Sequence, residues 1–247
     1  MNAYNKFLRT NTVYILIGIL PLFLSGCSKN KTLKANKVYV TGAMKEVMWD
    51  GRLEGQIFLD TLENKSNLYG LGPEAFLTGE VLVIDGKSYT GRVKSDSEMT
   101  ITRSFDVKAP FFVYSFVPKW KKEKLPAQIQ SVQQLEDWIS KKTTDTPFAF
   151  KLTGKIKSAG IHLQNLPKGS TVSSPAEAHC GQVNYNLENK EVTILGFFSK
   201  FHKGIFTHHD QFVHLHLITK DERHMGHLDA IEFGNNGITL FLPEGLK

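Results

Sequence analysis

The sequence predicts a β-rich α+β fold, with helices confined to the first part of the chain. Three observations carry this. Residues 38–146 mix helical and strand-like patterns, and strand patterns dominate residues 147–247. Between them KKTTDTP, residues 141–147, interrupts both periodicities and marks the boundary.

Taken in order, the first element is a leader. Residues 1–26 carry Lys6 and Arg9, no acidic residue, and an apolar run from Val13 to Leu24. That run is too short and too abruptly ended for a comfortable membrane span, and it fits a secretory signal peptide. Leu24-Ser25-Gly26-Cys27 resembles the bacterial lipobox, in which the cysteine is lipidated and becomes the new N-terminus. The alternative is an ordinary cleaved signal with Cys27 incidental. Acyl chains on Cys27 would anchor the protein to the membrane surface of the cell envelope without a spanning helix. Residues 27–37 are polar and basic, as a flexible tether would be.

Within residues 38–146, Thr41 is placed to cap a helix through GAMKEVMWDG, with Met44, Val47 and Met48 on one side. EVLVIDGKSYTGRV reads as a hairpin, because Asp85-Gly86 tolerates the positive φ angles of a tight turn. FFVYSFVP reads as a buried strand. SVQQLEDWISKK opens on a capping box, Ser131 with Gln134, and sets Val132, Leu135 and Ile139 on one face. Residues 147–247 then supply the strands PFAFKLTG, EVTILGFFS, QFVHLHLIT, HLDAIEF and GITLFLP, with no helix among them.

Charge narrows the function. With Lys6 and Arg9 removed in the leader, 28 basic side chains face 24 acidic ones, a mild net charge of +4. No basic patch is interleaved with aromatics, so nucleic acid is not an expected partner. After Cys27 only Cys180 remains, which excludes a disulfide between core cysteines. Cys180 is expected to be buried or partly buried.

All nine histidines lie at or after His162, and eight fall between His179 and His227. In QFVHLHLIT, His214 and His216 share one strand face while Val213, Leu215 and Leu217 share the other. The polar run TKDERHMG reads as a turn that returns the chain and brings His227 beside them. Three histidines so arranged suit a catalytic zinc, which keeps one position open for water or substrate. A solvated histidine stripe is the competing reading. A closed structural zinc lacks its cysteines here.

Three separated segments resemble the alpha-acetolactate decarboxylase family. They are NLYGLGPEAFLTGEVLVIDGKSY, TPFAFKLTGKIKSAGIHLQNLP and DQFVHLHLITKDERHMGHLDA, in family order, and the resemblance extends over roughly residues 38–243. The resemblance implies an N-terminal mixed sheet with helices, a C-terminal barrel-like β domain, and a metal site in the cleft between them. It assigns His214, His216 and His227 to zinc and Glu80 to an active-site glutamate. From the residues alone, a strand-edge glutamate just after Gly79 is the preferred reading of Glu80.

The implied reaction removes carbon dioxide from 2-acetolactate, or a related 2-hydroxy-3-keto acid, to give acetoin. Loss of the carboxylate leaves electrons that need a sink, which zinc on the hydroxyl and ketone oxygens can supply. An acid must then protonate one face, and a cationic donor must orient the leaving carboxylate. Here the chain departs from the family: the arginine expected eight residues after Gly154 is His162. A second family arginine corresponds to Lys151. His162 can donate a hydrogen bond but not an arginine's bidentate fork. Family members commonly continue into a tail with a second active-site glutamate, for which Glu244 is the nearby substitute. His208 and His209 precede the metal strand in a stretch a few residues longer than usual, as loop residues or as a replacement proton donor.

Two functions follow. One is a zinc-dependent decarboxylase; the other is a non-catalytic envelope lipoprotein that keeps the fold and the zinc as a ligand-binding module. The partners expected are the small substrate acid, the membrane through the anchor, and a second copy of the chain in a homodimer.

Overall fold

The computed structural model describes residue 1 and residues 34–142, 146–235 and 237–246. Residues 2–26 of the leader, Cys27 and most of the tether lie outside the described residues. In chain order the first strands are β1 (Val38–Thr41), β2 (Ile57–Phe58), β3 (Leu68–Pro73), β4 (Glu80–Ile84) and β5 (Lys87–Val93). Next come β6 (Met99–Arg103), β7 (Lys108–Ala109), β8 (Phe112–Phe116) and β9 (Trp120–Lys124). The remainder are β10 (Phe148–Lys155), β11 (Ser158–Leu163), β12 (Val183–Glu188), β13 (Glu191–Phe198), β14 (Val213–Thr219), β15 (Met225–Glu232) and β16 (Thr239–Pro243). Helices are few: α1 (Met44–Asp50), α2 (Val132–Lys142) and the single turn α3 (Pro175–Ala178).

Two large sheets result, of order β1-β8-β3-β4-β5-β6 and β12-β11-β15-β14-β13-β10-β16-β9. Every ladder between these strands is antiparallel, so the first sheet is not the mixed one expected. Asp85 (φ 49°) and Gly86 (φ 71°) turn β4 into β5 with the left-handed backbone their sequence allows. The second sheet has β12 and β9 as its edges, and no ladder joins them among the described residues. Barrel closure is therefore not seen in the strand pairing.

Thr41 ends β1 instead of capping a helix. Ala43 occupies the cap position without a side-chain bond, and α1 is held by backbone bonds from Met44 and Lys45 to Ile205 and Gly204. In α2 the Ser131 hydroxyl accepts from the Gln134 N–H at 3.2 Å, while the Gln134 side chain accepts from Gln130 N–H at 2.7 Å. Val132, Leu135 and Ile139 are buried against Phe148, Phe150 and Leu152 of β10. Residues 120–142 thus pair and pack with the second sheet, although the sequence boundary at 141–147 grouped them with the first part. The reason is in β9: Trp120 to Lys124 align with Pro243 to Thr239 of β16.

A shared apolar layer joins the two sheets. Leu71, Leu82 and Val113 from the first pack with Leu195, Phe197, Ile218 and Met225 from the second. Burial of this kind stabilises by about 25 cal/mol per Å² removed from water, so the sheet faces are fixed relative to each other. No described helix is long and apolar enough to cross a membrane.

Candidate metal centre

The second sheet lines up histidines by register. His216 of β14 lies opposite His227 of β15, and His227 lies opposite His162 of β11. His214 stands two residues before His216 on the same face, while Val213, Leu215 and Leu217 enter the core behind them. Ring centroids are 5.1 Å apart for His214 and His216, 5.0 Å for His214 and His227, and 5.6 Å for His216 and His227. The turn after β14 does return His227, and Gly226 before it is needed: a Cβ there would sit 2.3 Å from the His162 carbonyl oxygen.

A register shift between Gly160 and Ile161 leaves Asp229 as the extra residue of β15. The bulge lets Leu228 and Ile231, three apart, both reach the core. It also presents the Asp229 carboxylate to His162 Nδ1, with oxygens at 2.8 and 2.9 Å. The second sheet thus supplies a His–Asp pair that sequence reasoning did not find.

Across the interface stands Glu80, first residue of β4 and almost fully buried. Its Oε2 lies 3.5 Å from His216 Nε2. Burial raises its pKa well above the usual carboxylate value, the Asp229 charge adds to this, and the Gln164 backbone N–H opposes it. Burial has the opposite sense on the imidazoles. It lowers His216 to about 3, and it holds His214 and His227 well below the ordinary histidine value, with neighbouring histidines adding to the effect. All three are neutral at pH 7, the form that binds a metal.

Does this set fit a metal? His214 Nδ1 bonds the Phe206 carbonyl at 2.8 Å, so that nitrogen carries the proton and Nε2 keeps its lone pair. Both ring nitrogens of His216 are buried and, among the described residues, lack a partner of good hydrogen-bond geometry, an arrangement that is costly unless a cation or water completes it. Neutral imidazoles beside a buried carboxyl suit a first-row divalent ion. The residues fit.

Among the described residues, the nitrogens that converge closely enough to hold an ion include one from a loop and none from His216. Ligand atoms of His208, His214 and His227 all lie within 4.8 Å of one another and could hold a metal ion. His209, next to His208, is exposed. The remaining walls are Met44, Met48, Leu77 and Phe111, with Gln164 and His179, around about 20 Å³, room for an ion or one water. No arginine or lysine lines the cavity among the described residues. His179 sits in the turn after α3, Nδ1 on the Pro175 carbonyl at 2.6 Å, and no sequence pattern marked it.

Other candidates lie elsewhere. Lys151 stacks over Phe241, Trp120 and Tyr69 at 4.5, 5.4 and 5.6 Å, a cation held by aromatic faces. Glu244 faces Lys119 at 3.9 Å and both are exposed. Cys180 is exposed, contrary to expectation, because it falls in the surface turn that ends α3.

Known proteins resemble this chain in sequence and in fold. The family model described as alpha-acetolactate decarboxylase matches residues 38–242. Two proteins named alpha-acetolactate decarboxylase, from Lactococcus lactis subspecies cremoris and lactis, are 28% and 27% identical over 184 and 186 residues. Each alignment covers 72% of this chain and 72% of the relative. The crystal structure of alpha-acetolactate decarboxylase from Bacillus subtilis strain 168 superposes with a TM-score of 0.70 at 22% identity, covering 84% of this chain and 86% of that one. A Staphylococcus aureus protein of unknown function, similar to alpha-acetolactate decarboxylase, gives 0.70 at 20% identity over 85% and 87%.

Proposed function

This chain belongs to the alpha-acetolactate decarboxylase family, and from that premise we propose that it is a zinc-dependent carboxy-lyase. Its substrate is 2-acetolactate or a related 2-hydroxy-3-keto acid, and acetolactate yields acetoin and carbon dioxide. The observation that supports this most directly is the buried Glu80 carboxyl, 3.5 Å from Nε2 of the fully buried His216.

His214, His216 and His227 would hold the ion, which when bound supplies the sink for the electrons left by decarboxylation. Glu80 carries the proton: burial favours its protonated form, and delivery from its one side of the pocket gives a chiral product. Asp229 takes up Nδ1 of His162 and so sets its ring, leaving Nε2 for the substrate carboxylate. From that nitrogen His162 can offer a single hydrogen bond, where an arginine would offer two. Met44, Met48, Leu77 and Phe111 keep bulk water from the pocket.

The leader and lipobox motivate a further part of the proposal: cleavage before Cys27 and a lipid anchor at the bacterial cell envelope. Cys27→Ser should shift the protein from the membrane fraction to a soluble or uncleaved form. Unchanged fractionation and migration would refute the anchor.

One observation favours a second reading, a non-catalytic lipoprotein that keeps the zinc: no arginine or lysine lines the cavity among the described residues. Metal analysis and acetoin formation on the purified protein separate the two. Acetoin that is lost on chelation and restored by zinc supports the enzyme. Bound zinc with no acetoin at any pH supports the second reading.

A further inference from the structure

Strands β13 and β14 are joined by residues 199–212, and this connection is pinned at several points. The Ser199 N–H donates to the Phe212 carbonyl at 2.8 Å, closing its base. Phe206 is fully buried, and its carbonyl is the group that receives His214 Nδ1. Gly204 and Ile205 carbonyls accept from Lys45 and Met44 at the start of α1, each at 2.8 Å. The residue two places beyond Phe206 is therefore delivered to one spot. That residue is His208.

His208 Nε2 lies 3.2 Å from His227 Nε2. Two imidazole nitrogens at the corners of a zinc tetrahedron with 2.0–2.1 Å bonds are about 3.3 Å apart. The His208 ring is also 4.9 Å from that of His227 and 5.7 Å from that of His214. We propose that His208 is a fourth metal ligand, delivered by the 199–212 connection, which closes the position that the three strand histidines leave open. A ligand entering the site must displace it.

The inference rests on the zinc reading above and deepens it. A metal with three protein ligands keeps a position for water or substrate, whereas four protein ligands close the sphere. The two kinds of support differ in mobility. His214, His216 and His227 belong to paired interior strands, while His208 is partly exposed and is followed by exposed His209 and Asp210. Only His208 can swing away without breaking a ladder. Its departure would open both a coordination position and the narrow cavity beside it. The competing account of the 3.2 Å contact is an N–H···N hydrogen bond with no role at the metal.

The test uses purified protein loaded with zinc or cobalt, with His208→Ala compared to wild type and His209→Ala as the neighbour control. X-ray absorption at the zinc edge should count four imidazoles in wild type and in His209→Ala, and three in His208→Ala. The visible spectrum of the cobalt form should change only in His208→Ala. Azide, a small anion that takes an open metal position, should bind that variant at least tenfold more tightly than wild type. Metal should also leave it faster under a chelator. Three imidazoles in wild type, with spectrum and azide affinity unmoved by His208→Ala, would overturn the inference and leave the zinc reading intact. Wild-type protein that takes up no metal would overturn both.

Discussion

Acid should destabilise the metal-free protein through His216, and the size of the effect can be worked out. The side chain has no exposed surface, and burial lowers its pKa from 6.5 to about 3. Between those values the unfolded chain binds a proton that the folded chain does not, so stability falls as pH falls. At about 1.4 kcal/mol per pH unit, going from pH 6.5 to about pH 5 removes roughly 2 kcal/mol. For an urea dependence of about 1–3 kcal/mol per molar, the midpoint should move by on the order of 1 M. The assay is urea unfolding in the presence of a chelator, followed by tryptophan fluorescence, for wild type and His216→Asn. Asparagine does not titrate, so the variant should lose about 2 kcal/mol of this pH dependence, whatever its absolute stability. Some acid sensitivity should remain, because His214 and His227 are shifted the same way. Equal pH dependence in the two proteins would refute the reasoning.

Glu80 has the opposite sign: its raised pKa means the fold holds a proton the unfolded chain has released, so its contribution is lost as pH rises. Glu80→Gln should therefore make the metal-free protein more stable at alkaline pH, by about 1–3 kcal/mol in urea unfolding, and should abolish acetoin formation. The His214→Ala, His216→Ala double variant should lose most of the bound zinc, and full metal occupancy in it would refute the ligand assignment. His162→Ala should lower turnover while zinc stays bound, and His162→Arg should recover or exceed wild-type acetoin formation if the longer side chain fits. Turnover indifferent to His162→Ala would remove that residue from the mechanism.

The sequence carried the fold where periodicity and turn chemistry agreed. Asp85-Gly86 and the alternation on either side specify β4 and β5, and the spacing of Val132, Leu135 and Ile139 specifies the buried face of α2. It carried less where strands lie at edges. In β9, WKKEK shows no apolar alternation because the strand is the sheet's border, and lysines are what such a border tolerates. In β12 the signal was present: Tyr185 and Leu187 are buried between exposed neighbours, but VNYNLE is too polar to stand out. Thr41 shows a local preference losing to tertiary structure, since pairing with Phe112 takes it into β1.

The candidate site divides along the same physical line. His214, His216 and His227 were legible because strands impose a two-residue period, and a period can be read from residue spacing alone. Asp229 was not legible by that rule, yet a trace of it exists in HLDAIEF. Leu228 and Ile231 are three apart, and two core residues at an odd spacing in one strand require an extra residue between them. The bulge that reconciles them is what puts a carboxylate on His162. His208 left no such trace, because nothing periodic connects a loop residue to the strand that follows it. Its position depends on Phe206 being buried and on backbone bonds to α1, contacts made by residues some 160 positions away in the chain. The strand histidines are therefore placed by local pattern, while the group proposed to open or close the centre is placed by the assembled fold.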